Sequence, residues 1–143
     1  MSDALAAWTP ALPVFARRCA VVGLVSIITI ALAGWGIGIT TGIWQVFYVG
    51  PVLMLAYNIG FEDPARWRVA RQNRWHLRSD ALIHHGTDGE ARIPLADIID
   101  VRSRFGWSVV VFLKDGLRLR LSYVRDPQDI ATHILAARNR LSP

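Results

Sequence analysis

The sequence predicts an α+β membrane protein: a transmembrane helical hairpin, then a small antiparallel β domain capped by a C-terminal helix. Three observations predict it. From Cys19 to Phe61 there is no Asp, Glu, Lys, Arg or His. From about Asn73 the apolar period changes to two, the period of a strand. Finally, Asp126-Pro127-Gln128-Asp129 opens a run that places Ile130, Ile134, Ala137 and Leu141 on one helical stripe.

The charge-free stretch is too long for one crossing. A hydrocarbon core about 30 Å thick needs about 20 helical residues. Two spans joined by a turn fit, near 16–34 and 43–61. Gly34, Gly36, Gly38 and Gly42 punctuate the segment between them, and glycine is costly inside a helix. Trp35, Trp44 and Tyr48 cluster there as an interfacial aromatic belt. Gly50-Pro51 falls in the second span and predicts a kink. Arg17 and Arg18 precede the block, and Arg66, Arg68, Arg71 and Arg74 follow it, while the turn carries none. By the positive-inside rule both termini are cytoplasmic. The organisation is then an N-terminal cytoplasmic segment (1–15), the hairpin (16–61), a basic juxtamembrane connector (62–73) and the β domain with its helix (74–143).

In the connector, Asp63-Pro64 is a helix-start pair, and a short helix runs to about Gln72. Its Arg66, Arg68, Arg71 and Arg74, with Trp67, are positioned to contact lipid headgroups. The β domain follows as short runs: Arg74–Leu77 and Ala81–His85 about a turn at Arg78-Ser79-Asp80, Ala91–Leu95 after "GTDGE", then Asp97–Phe105, Trp107–Leu113 and Leu117–Val124. Asp115-Gly116 reads as a two-residue type I′ loop, pairing Lys114 with Leu117. That register puts Val110, Phe112, Leu117, Leu119, Leu121 and Tyr123 on the core face. It leaves Trp107, Val109, Val111 and Leu113 outside beside Arg118 and Arg120, a mixed surface to be covered by another strand of the same barrel, a partner or a membrane.

The order of these parts, with "IPLADIIDV", the Asp-Gly turn and "DPQDIATHI", resembles bacterial membrane-anchored pleckstrin-homology-like (PH-like) domain proteins. The resemblance covers Trp75 to about Ala137. It implies a curved antiparallel barrel or sandwich closed by a helix, in the bacterial inner membrane, and no reaction. The turn at Arg78-Ser79-Asp80 is too short for an inositol-phosphate site, so headgroup specificity does not carry over.

Chemistry-bearing patterns are sparse. The net charge of +5 is explained by Arg flanking the apolar block, which argues against nucleic acid as partner. The single cysteine, Cys19, excludes an internal disulfide. His84 and His85 are adjacent on a strand and point to opposite faces, so they do not clamp one metal, although His76 is placed to meet one of them. No triad, phosphate loop or paired-carboxylate site stands out. The expectation is a protein that is not an enzyme, with no cofactor, no metal and no catalytic residue. It is instead a membrane-anchored adaptor or accessory subunit docking on other integral membrane proteins, with homo-oligomers also open. The alternative is a peripheral sensor of anionic lipids.

Overall fold

The computed structural model describes residues 4–141. The chain divides into two compact units, one of residues 16–68 and one formed by the flanking segments on either side.

The apolar unit begins within α1, Leu12–Thr41, a helix of 30 residues. It is the one helix among the described residues long and apolar enough to cross a membrane: its most apolar window has a mean hydropathy of 2.2 and is only 6 % buried. The helix therefore runs well past residue 34, where the sequence predicts its end. Gly34, Gly36 and Gly38 are helical, and the chain turns at Gly42, whose φ of +75° suits glycine. The reason is tertiary. A Cβ on Gly34 would lie 2.7 Å from the Phe47 Cα, and one on Gly38 would lie 2.7 Å from the Trp44 ring. Four residues apart on one face, the two glycines admit a close neighbour, and that contact offsets their helical cost of about 1 kcal/mol each.

The second arm is α2, Gln45–Tyr57, a π-helical segment, Asn58–Glu62, and α3, Asp63–Ala70, in unbroken succession. Pro51 lies inside α2, as expected. By itself α2 has 13 residues, about 20 Å at 1.5 Å per residue and short of a membrane core. The connector helix anticipated after Pro64 exists as α3, continuous with what precedes it.

The second unit holds two antiparallel sheets. One has the order β1-β2-β3-β4: Ala4–Trp8, Arg74–Arg78, Ala81–Gly86 and Gly89–Pro94. The other has the order β5-β6-β7: Ile98–Arg104, Ser108–Leu113 and Arg118–Ser122. The described strands form no closed barrel. Helix α4, Pro127–Leu141, packs with both sheets around one core, which includes Leu77, Leu82, Val101, Val111, Leu121 and Ile134. Burying Ile130, Ile134 and Ala137 follows the predicted stripe, while Leu141 is exposed. Arg138 donates to the Ile98 and Ile99 carbonyls, tying α4 to β5.

Strand β1 is the element the sequence reading lacked. It pairs antiparallel with β2, Ala7 opposite His76 and Trp8 opposite Trp75. "ALAAW" has little intrinsic strand character, and only the exposed edge of β2 makes it a strand.

The β6–β7 register corrects the expected one. Leu113 N donates to Leu117 O at 3.0 Å, and Gly116 N to Leu113 O at 3.0 Å. The loop is therefore three residues, Lys114-Asp115-Gly116, closed by Gly116 at φ +83°. A shift of one residue reverses every side chain of β6 relative to β7, whose own faces are as expected. Val109, Val111 and Leu113 are buried with Leu121 on the inner side, where Leu119 is half-buried, and Val110 and Phe112 share the outer side with Arg120 and Arg118.

Candidate interaction surface

The outer face of β5-β6-β7 is built in cross-strand rows. Arg102 stands opposite Val110 and Val110 opposite Arg120; the next row is Asp100, Phe112 and Arg118. The guanidinium carbons of Arg102 and Arg118 lie 5.6 and 5.4 Å from the centre of the Phe112 ring, within cation–π range. Arg102 Nε also donates to Asp100 Oδ2 at 2.6 Å. That bond, helped by the Val101 amide, holds the Asp100 carboxyl below its usual range. In these two rows three guanidiniums face one carboxylate around an aromatic centre. An anionic partner suits such a face.

Of the residues expected on this surface, Arg118 and Arg120 are there and exposed. Val109, Val111 and Leu113 are core residues, and Trp107 is half-buried at the end of the β5–β6 turn. Trp107 stacks on Phe105, with ring centres 5.7 Å apart. Phe105 is 71 % exposed and holds φ +55°, an uncommon geometry for an aromatic residue. Arg102, Phe105 and Phe112 belong to this surface beyond the residues that the sequence predicts. The signal for Phe112 was present in Lys114-Asp115-Gly116, which also fits a turn followed by a left-handed glycine.

The connector residues are distributed along α3 and beyond. Arg66, Arg68, Arg71 and Arg74 are exposed, and Trp67 is half-buried. Arg66 is also paired with Glu62 one turn earlier.

The histidines are arranged as strand geometry requires. His84 stacks on Trp75 with ring centres 4.2 Å apart, and its Nε2 lies 3.1 Å from Asn73 Oδ1. His85 points the other way, 3.5 Å from Glu90, its ring 5.3 Å from His76. Among the described residues no group of three or more His, Cys, Asp or Glu could hold a metal ion.

No protein-family model, curated protein or solved structure matches the chain. Fold and surface define a class: an α+β chain with one helix of membrane-crossing length and a two-sheet domain bearing a basic, Phe-centred outer face.

Proposed function

We propose that this chain is a non-catalytic membrane-anchored adaptor or accessory subunit of a larger integral membrane complex. Its apolar unit crosses the bilayer twice, and the two-sheet domain, PH-like in design, works on the cytoplasmic side. One observation carries the reading most: β1 precedes the apolar segment and β2 follows it, yet they are neighbours in one sheet. A folded sheet lies on one side of a membrane. The intervening chain must then leave and return on that side, which favours two crossings over one. The unbroken helical path from Gln45 to Ala70 can supply the return. The uncovered apolar surface of α1 requires a bilayer or another protein, and flanking Arg favours a cytoplasmic domain.

The test is extraction of the full chain in several mild detergents. Co-migration with other membrane proteins, and their recovery by crosslinking in native membranes, is the expected result. A lone 16 kDa species in every detergent counts against the adaptor role, and recovery in the aqueous fraction removes the anchor itself.

A second reading has its own support. The Arg102–Phe112–Arg118 cluster suits an anionic membrane surface, with Arg66, Arg68, Arg71 and Arg74 adding to it. In lipid nanodiscs, Arg118→Glu with Arg120→Glu should then abolish a salt-sensitive protection of β5–β7 that appears only with anionic lipid. Equal protection on neutral lipid rejects it.

A further inference from the structure

The apolar unit contains a groove of about 520 Å³ between α1 and the arm formed by α2 and α3. Its shape is set by how the two segments meet. Gly34 lies against the Phe47 backbone, and a Cβ on Gly50 would be 3.0 Å from Ile30 Cγ2. Numbers therefore rise along one wall as they fall along the other. Ile27 comes level with Met54, Gly23 with Asn58 and Arg18 with Asp63, and all six line the groove. Beyond Ile27 and Met54 the approach of Gly50 to Ile30 narrows the deep end.

Length and chemistry then select the occupant. From Arg18 to Ile27 the wall is roughly 14 Å long at 1.5 Å per residue. One leaflet's share of a hydrocarbon core about 30 Å thick is about 15 Å. The groove is thus as deep as one leaflet, with all its charged residues at one end. Its deeper walls are uncharged and apolar apart from Ser26 and Asn58, while its mouth carries two cations, Arg18 and Arg66, and two carboxylates, Glu62 and Asp63. Arg66 donates to Glu62, but a guanidinium has five donors and a carboxylate about four acceptor positions. Both can take a further partner without breaking that pair. Balanced charges at the mouth complement a head carrying both signs better than an anionic one. The wall there is also the π-helical segment Asn58–Glu62, a geometry found frequently at functional sites.

The geometry points to a built-in site for a zwitterionic phospholipid of the phosphatidylethanolamine type. One acyl chain lies along Gly23 and Ile27, the phosphate meets Arg18 and Arg66, and the ammonium meets Glu62 and Asp63. This inference rests on the membrane reading above and adds a ligand to it.

Gly23 supplies the test, because a Cβ there meets nothing within 4 Å. Gly23→Leu places a branched side chain in the groove from a position whose Cβ is unobstructed. The full chain is purified in mild detergent from membranes holding phosphatidylethanolamine and phosphatidylglycerol, and retained lipid is counted by native mass spectrometry. The expected result is one phosphatidylethanolamine per chain, at least fivefold over phosphatidylglycerol. Gly23→Leu should lose it, and Glu62→Gln with Asp63→Asn should shift the preference to phosphatidylglycerol. Unchanged near-ultraviolet circular dichroism verifies that both variants fold. Equal retention of the two lipids overturns the proposal, as does no retention, or a dimer with no lipid. A chain found in the aqueous fraction instead fails the membrane reading, so the two failures are distinguishable.

Discussion

Trp8 stands opposite Trp75 in the ladder joining β1 to β2, with the entire apolar segment between them in the chain. Trp75 is buried in the core, and Trp8 packs against that core from its edge. The pair clamps the residues before the membrane-length helix to the domain after it.

Trp8→Ala should therefore destabilise a domain whose main sequence lies far downstream. Trp8 is half-buried, so the cost should be about 1–3 kcal/mol, below that of a fully buried aromatic. Denaturation of the full chain in micelles measures it, and hydrogen exchange of the β2 amides should accelerate with it. Unchanged exchange in β2 would mean that β1 is not part of the sheet.

The corrected register can be tested by two truncations on neighbouring strands. Leu121 is fully buried, and Leu121→Ala should cost about 2–5 kcal/mol. Val110 lies on the outer face, so Val110→Ala should cost less than about 1 kcal/mol. The one-residue-shifted pairing places both residues on the core face. Comparable losses would restore it.

Glycine in α1 should respond to substitution by position, not by composition. Gly34→Leu drives a side chain into the Phe47 backbone and should separate the two segments, at about 1–3 kcal/mol or more. Gly36→Ala meets nothing within 4 Å and should be neutral or stabilising by up to about 1 kcal/mol. Spin labels near residues 28 and 52 read the separation directly. An unchanged distance in Gly34→Leu would contradict the contact.

His84 gives the domain a pH response of definite sign. Burial against Trp75, then the neighbouring His85, lowers its pKa from the ordinary value of 6.5. The unfolded chain takes up that proton first, so stability is full above pH 6.5 and falls as pH drops through 6.5 toward the folded value. His84→Gln should flatten the slope there. The Asp100 carboxyl, held low by Arg102, loses its contribution only as pH falls through its own lower value, so the two windows separate. A slope between pH 5 and 7 that survives His84→Gln assigns it elsewhere.

Much of the fold is legible in local pattern. The charge-free run before Glu62 marks the apolar unit, and alternation marks β2 through β7 within a residue or two of their observed ends. Pro127 and Asp129 mark the start of α4. These features depend on spacing along the chain, which the sequence contains. The surface was only half legible. Charge in a strand makes Arg118 and Arg120 conspicuous, whereas Asp115-Gly116 taken alone as a two-residue loop turns Phe112 inward.

By itself, then, the sequence determined which segments are apolar, which alternate and where the last helix begins, because each rests on residues a few positions apart. Tertiary structure decided three matters. It made Ala4–Trp8 a strand, because the edge of β2 offered unpaired backbone groups. It kept Gly34 and Gly38 helical, because Phe47 and Trp44 pack where side chains would stand. It also chose which face of β6 is inside, because the Gly116 loop fixes the register and only Val109, Val111 and Leu113 then meet the core. In each case the deciding partner lies beyond the local window, and its contact free energy outweighs the local preference.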